Sequence, residues 1–295
     1  MESWRSARGL FAAVAMPPSL WLLAFFVIPL GIVWLYSFGT NVSLTEIEIS
    51  GTFANYARAL DPLYLGIMWK SLLVAAATTG ICLVVGFPVA LAIVFAPERW
   101  KVWLLLAIML PFWTNLLIRT YALIAVLRRE GYANQTIGWL HEQAGTLMML
   151  VGLPAPGAFE PLDLLYNNFA VIFGLVYVHL PFMVLPLYAA LDRLDKSLIE
   201  ASLDLGAGHL RTLLLIVAPL AAPGIISGVI ITFVPALGAY LTPDLLGGPD
   251  SQMIANVIER QFKRANDWPF GAALSFLLMY ATFIAMKARQ AGERR

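Results

Sequence analysis

Apolar residues along this chain gather into six long runs instead of alternating with polar ones: 19–38, 71–96, 102–127, 168–191, 212–238 and 269–286. A helix needs about 20 predominantly apolar residues to cross a bilayer, so each run predicts a membrane span. Arg119 is the one formal charge inside them, and His179 the one histidine. The first run is too long for the core of a cleavable signal and no small-x-small site closes it, so it reads as a true span. The last is the shortest, and Trp268-Pro269 marks its start, an interfacial aromatic followed by a helix-initiating proline. Between the runs the pattern changes. Residues 42–49 alternate apolar with polar or acidic positions and predict an extended segment. Residues 152–161, rich in Gly and Pro, predict a loop. In 251–264, Ile254, Val257, Ile258 and Phe262 share one helical face, which predicts a surface helix capped by Asp250 or Ser251.

Composition names the solvent. Of 295 residues, 60% are apolar and 13% charged, with a mean hydropathy of +0.78. Soluble domains are roughly 45–50% apolar and about 25% charged, so these apolar side chains need a lipid bilayer to face. Disorder, which requires low hydrophobicity, is excluded. A net charge of +1 leaves no extended basic surface for nucleic acid. Cys82, the single cysteine, can form neither an internal disulfide nor a metal site by itself. Many of the 18 Pro and 22 Gly fall within the apolar runs and predict kinked, closely packed helices.

Loop charge sets the expected orientation, because Lys and Arg favour the cytoplasmic side. With the N-terminus inside, Arg99, Lys101, Arg193, Lys196 and Arg211 join the cations of both chain ends on the inner face. Segments 39–70, 128–167 and 239–268 then face outward and carry most of the acids. This places the segments 1–18 and 287–295 in the cytoplasm, flanking one transmembrane domain over 19–286.

The inner segment 192–211 is the most informative. Ser197 and Glu200 have the spacing of a capping box, which predicts a helix from Leu198. Leu198, Ala201, Ser202 and Leu205 would share one face. Gly206 is placed to end the helix in a left-handed cap. A second helix should start near Gly208 and run into the fifth span, bent where Pro219 and Pro223 remove donors. The product is a short transverse helix at the inner surface, a docking knob for another protein.

Glu200-Ala201-Ser202, with Gly206 six residues after the Glu, Ile216 and Pro219, resembles the EAA loop of bacterial ABC-importer permeases. Ser202 stands where that pattern has a third Ala, and Ala218 where it has a Leu. The runs Leu110-Pro111-Phe112-Trp113-Thr114-Asn115 and Ile118-Arg119-Thr120-Tyr121 are similar to the third span of spermidine/putrescine permeases of the PotB type. So are Gly174-Leu175-Val176-Tyr177, Leu180 through Tyr188, Asp244-Leu245-Leu246-Gly247-Gly248 and Asp267 through Ala273. The resemblance covers about Asp61 to Ala273. It implies an all-α, six-span, MetI-like type I importer permease in the bacterial inner (plasma) membrane. Its implied partners are cytoplasmic ATPase subunits that bind ATP and Mg, a second homologous permease and a periplasmic polyamine-binding protein. Glu200, Ala201, Ser202, Asp204, Gly206, Ile216 and Pro219 would carry ATPase coupling.

A polyamine needs carboxylates for its ammonium groups and aromatic faces for cation–π contact and methylene packing. Asp244, Tyr240, Trp113, Tyr121 and Tyr177 have that chemistry and are candidates for the substrate pathway. Arg119, about 12 Å below the outer end of its span, would repel a polycation and is expected in a structural or gating ion pair with Asp244 or Asp267. His179 is expected to hydrogen-bond between helices. The chain has no G-x-x-x-x-G-K-[ST], G-x-S-x-G or H-E-x-x-H motif, so no enzymatic activity, cofactor or metal site is predicted. Two alternatives stay open. One is the same machine for an opine, amino acid or metal chelate. The other is an ion-gradient-driven transporter, which would call for mid-span acids and internal repeats; the spans hold no Asp or Glu.

Overall fold

The computed structural model describes residues 8–43, 46–151, 154 and 157–292. In chain order it begins with α1 (Arg8–Leu22), a π-helical turn (Leu23–Val27), α2 (Ile28–Tyr36), β1 (Thr40–Asn41), β2 (Ile47–Glu48), α3 (Ala54–Ala59) and α4 (Pro62–Phe95). Next come α5 (Glu98–Met109), a 3-10 turn (Leu110–Trp113), α6 (Leu116–Leu127), α7 (Tyr132–Leu150) and α8 (Asn168–Leu191). Then follow α9 (Lys196–Asp204), α10 (His209–Thr212), a second π-helical turn (Leu213–Val217), α11 (Ala218–Leu220) and α12 (Ala222–Leu237). The chain closes with α13 (Leu241–Leu246), a 3-10 turn (Pro249–Ser251), α14 (Ile254–Lys263) and α15 (Trp268–Gly292).

Phe11–Tyr36, Pro62–Phe95 and Asn168–Leu191 are long and apolar enough to cross a membrane unbroken. Two more candidates are bent pairs: Glu98–Trp113 with Leu116–Leu150 at 94°, and His209–Leu220 with Ala222–Leu237 at 72°. Trp268–Phe283 is a shorter apolar helix. The third and fifth runs are therefore not single helices, and proline is the cause. Pro111 sits in a 3-10 turn that ends in extended Thr114. The Thr114 hydroxyl donates to the Pro111 carbonyl at 2.7 Å, and Asn115 restarts the helix by accepting from the Leu117 amide at 2.8 Å. In the fifth run Pro219 and Pro223 flank Ala221, whose backbone (φ −81°, ψ 0°) closes α11 and opens α12.

The two π-turns have a shared origin. A proline ring inside a helix presses on the carbonyl four residues back. For Pro29 that residue is Phe25, and for Pro219 it is Leu215, both within π-turns. Widening the helix there relieves the clash.

Other segments depart from expectation locally. α4 starts well before residue 71, because the Asp61 carboxylate accepts the Leu63 amide at 2.9 Å and Pro62 suits the first helical position. Within 42–49, only Ile47–Glu48 is strand; β2 pairs antiparallel with β1, Thr40 opposite Glu48 and Asn41 opposite Ile47, while 44–45 lie outside the described residues. The described part of 152–161 has no regular structure; 152–153 and 155–156 lie outside the described residues. Segment 128–167 holds a helix, α7, that the pattern did not announce. α14 begins later than expected, leaving Asp250 and Ser251 in the preceding 3-10 turn. Its entry is held instead by Asn256, whose Oδ1 accepts the Met253 amide at 3.1 Å, and by Ser71, whose hydroxyl accepts the Ile254 amide at 2.7 Å.

The chain forms two compact units. In one, Met1–Gly66 with Val257–Arg295, α15 packs on α2 and α3. Trp34 Nε1 donates to the Tyr280 hydroxyl at 2.9 Å. Arg58 pairs with Asp267 at 2.8 Å and lies 3.9 Å from the Phe270 ring centre, and Asn41 donates to the same carboxylate at 3.3 Å. In the other unit, Ile67–Asn256, α8 is the axis. Its Met183, Val184, Leu187 and Leu191 meet Cys82, Ala90, Ile93 and Val94 of α4, with Val217 and Ala221 completing the core. α12 lies along α8 on Gly224 and Gly228, a small-xxx-small spacing that lets helices approach closely. A Cβ at Gly224 would abut the Ala190 methyl and stand 2.7 Å from the Pro186 carbonyl; at Gly228 it would stand 2.7 Å from Met183 Sδ. Gly224→Val should therefore destabilise the fold by about 1–3 kcal/mol, lowering the thermal unfolding midpoint in detergent. Ile231→Val, on an exposed position of α12, should leave that midpoint in place.

Candidate functional site

The transverse helix exists, with a different cap. α9 starts two residues before Leu198, and its N-cap is Asp195, whose Oδ1 accepts the Ser197 amide at 3.0 Å. The expected Ser197–Glu200 capping box gives way to this Asp195 cap, two residues earlier. Hydrogen bonds from the Ser197 hydroxyl and amide hold the Asp195 carboxyl below its ordinary pKa. At the other end Gly206 adopts φ +82°. Its amide donates to the Leu203 carbonyl at 2.9 Å, and Ala207 donates to Ser202 at 3.1 Å, a left-handed closure as the sequence anticipates.

The faces of α9 divide unequally. Leu198, Glu200, Ala201 and Asp204 are exposed, and Leu205 just beyond is 89% exposed. Ile199 packs on the core that α8 and α4 share. Ser202 is turned inward, away from the face expected to hold it, because its hydroxyl pairs with that of Thr212 at 2.9 Å. That bond ties α9 to α10 and so to the arm that carries Ile216, within the π-turn, and Pro219. Leu210, Leu214 and Leu215 extend the exposed apolar surface along the arm. Exposed helix, root and arm thus form one continuous piece.

The candidate pathway residues are spread over several elements. Trp113, 72% exposed, ends the 3-10 turn; Tyr121 stands on α6 and Tyr177 on α8. Among the described residues no ring contact joins these three to one another. Tyr240 and Asp244 do stand together, one turn apart at the start of α13: the Asp244 amide donates to the Tyr240 carbonyl at 3.0 Å, and Asn256 Nδ2 donates to that carbonyl at 2.7 Å.

Arg119 does not form the ion pair expected of it. It is 9% exposed, its Nε has no hydrogen-bond partner, and its guanidinium lies 6.0 Å from the Phe112 ring centre. The Asp267 carboxylate is taken by Arg58 and Asn41. Phe112 meets Phe182 edge to face at 5.3 Å, and Phe182 lies 6.1 Å from His179. His179 bonds within its own helix, Nδ1 to the Leu175 carbonyl at 2.8 Å, instead of between helices. The pattern missed one feature near the start of α5. Lys101, buried, reaches Glu98 at 2.7 Å and Asp192 at 3.2 Å. The cation three residues after an acid at a helix start was the available signal.

Apolar helices broken at prolines, with one short capped helix presented to solvent and tied to the arm of a broken span, make up a helical transport component of a membrane. Over residues 5–289 the chain matches the binding-protein-dependent transport system inner membrane component family, and it belongs to that family. It is 40% identical over 259 residues to the spermidine/putrescine transport system permease protein PotB of Escherichia coli K12, covering 88% of each chain. The PotB protein of Haemophilus influenzae is 35% identical, over 93% of this chain and 92% of its own. The inner membrane ABC transporter permease protein YdcU of Escherichia coli K12 is 31% identical over 95% and 89%. In fold the chain resembles a bacterial ABC transporter involved in alginate import, with a TM-score of 0.70 at 15% identity over 100% of this chain and 99% of that one.

The cap geometry has a pH signature. A carboxyl whose folded pKa is depressed stabilises above its unfolded value and loses that contribution as pH falls through the folded value. Amide exchange at 197–200, normalised to intrinsic rates, should stay protected as pH passes down through the ordinary carboxylate range, then rise below it. In Asp195→Asn that acid-linked step should vanish. Gly206→Ala, which forces a Cβ into the left-handed region, should cost about 1–2 kcal/mol and raise exchange across α9.

Proposed function

We propose that this chain is the permease subunit of an ATP-driven importer that moves polyamines, putrescine or spermidine, into the cytoplasm. The observation that carries the reading is the 40% identity, over 88% of the chain, to spermidine/putrescine permeases. The exposed, double-capped α9 supports it, as a rigid handle for a separate ATPase. In this reading the two chain ends and α9 face the cytoplasm of a bacterium. A second homologous permease completes the channel, and a periplasmic binding protein delivers the cargo. ATP and Mg bind the ATPase, not this chain.

Each step follows from a residue's chemistry. ATP binding draws the ATPase pair together and displaces α9 through its outer face of Leu198, Ala201, Asp204 and Leu205. Ser202 and Thr212 pass the displacement to α10, and the arm carries it through Ile216 and Pro219 to the bend at Ala221. The bundle opens outward and receives a polyamine. Asp244 offers a carboxylate to an ammonium group, while Tyr240, Trp113, Tyr121 and Tyr177 offer faces to its methylenes and charges. Arg119, a buried cation, contributes by holding the turn at Phe112, not by touching the cargo. Hydrolysis resets the inward-facing state.

The test is uptake into vesicles holding both permeases, the ATPase and the binding protein. Radiolabelled putrescine should enter only with ATP and the binding protein, and spermidine should compete. Competition by an opine, an amino acid or a metal chelate in place of polyamines would reassign the substrate. Cysteines at Ala201 and Asp204 should cross-link to the ATPase, whereas one at Ser202, facing inward, should not. Absence of cross-linking at all three, with normal uptake, would remove α9 from the coupling route.

A further inference from the structure

We infer that Lys101 is a positioning residue that delivers the movement of α9 to α5, as a charged strut between two helix ends. The inference rests on the coupling role proposed above for α9. Lys101 Nζ lies 2.7 Å from Glu98 Oε1 and 3.2 Å from Asp192 Oδ1. Asp192 is the C-cap of α8, its amide bonded to the Tyr188 carbonyl at 2.8 Å, and only Arg193 and Leu194 separate it from Asp195, the N-cap of α9. The strut therefore joins α5 to the root of α9, not to a neutral part of the bundle.

Burial makes the link stiff. The Lys101 side chain is 11% exposed, whereas those of Glu98 and Asp192 are 86% and 40% exposed, so the burial lies on the lysine alone. An exposed pair held by salt-screened attraction contributes little. A cation with its stem packed and its head between two carboxylates cannot leave them without being stranded. Glu98, on the same helix, keeps the ammonium in place, and Asp192 alone connects it across elements. Beneath the strut the same bodies share one core: Leu105 and Ile108 of α5, Leu194 and Ile199 around the start of α9, and Leu213 of the π-turn all pack against the α4–α8 cluster.

The two routes from α9 differ in destination. Through Ser202 and Thr212 it reaches the arm that ends at the 72° bend. Through Asp192 and Lys101 it reaches α5, which runs on through the Leu110–Trp113 turn to the 94° break before Leu116, with Phe112 6.0 Å from the Arg119 guanidinium. Both broken helices of this unit are thereby connected to one handle. Movement of α9 can then turn both breaks together instead of one alone.

The experiment measures putrescine imported per ATP hydrolysed in vesicles carrying the full assembly. Lys101→Met and Asp192→Asn should each leave subunit assembly and ATP hydrolysis in place while import per ATP falls roughly five- to tenfold. Lys101→Arg should retain wild-type stoichiometry, and the exchange Lys101→Asp with Asp192→Lys should recover part of the loss. Wild-type stoichiometry in both single variants overturns the strut. If Lys101→Met fails to assemble, Asp192→Asn and the exchange decide. Failure of all of them to assemble overturns it too, since the pair would then serve folding alone. The coupling reading of α9 is checked separately in the unaltered protein by the Ala201 and Asp204 cross-links, so the two ideas fail on different observations.

Discussion

In a bilayer every backbone amide and carbonyl must find its partner within the protein, because no water is present to replace a lost one. Prolines inside apolar helices test that constraint wherever they occur. Pro88, Pro181, Pro186 and Pro235 are absorbed within continuous helices. Pro29 and Pro219 widen the preceding turn to a π-helix. At Pro111 and around Pro223 the helix gives way. There the freed groups are met locally, by Thr114 and Asn115 in one case and by the tight backbone of Ala221 in the other. The two sharp bends are thus chemical consequences of where donors are missing, and they divide rigid lengths of helix into levers.

Both broken helices are tied to α9 or to its root. α9 has a charged cap at its start, a left-handed glycine at its end and a buried hydroxyl pair at its root. Such a segment is stiff, because both ends are closed by caps and its inner face is tied to the core. An exposed apolar edge on a body of that kind is a surface for gripping. The acid–base chemistry of the candidate pathway lies elsewhere, on α6, α8 and α13. The exposed α9 and the candidate pathway residues therefore stand on different elements.

How much of this could be read from the sequence depends on what set each feature. α8 spans the predicted residues, since Asn167 caps its start through the Ala170 amide and a charged segment follows its end. Gly206 was legible because few other residues tolerate its backbone. The cap of α9 was misplaced by two residues: two side chains had suitable spacing, and only geometry shows Asp195 in reach. Arg119 misled for a related reason, as the choice of partner for a buried cation is tertiary. α7 escaped notice because its sides are reversed. Asn134, Gly138, His141 and Gly145 face the protein, with Phe159 against Gly138, while Trp139, Leu140 and Leu147 point away. A reading tuned to apolar-inward periodicity finds no stripe in such a helix.

The seam between α8 and α12 has a further implication. Interdigitated side chains lock two helices in register, and sliding one past the other requires many rotamers to change together. At Gly224 and Gly228 that interlock runs one way: the Ala190 methyl, the Pro186 carbonyl and the Met183 thioether reach the α12 backbone, and α12 offers no side chain in return. The spacing of the two cylinders is therefore set there by atoms of α8 alone, and any side chain added on α12 at these positions would wedge them apart.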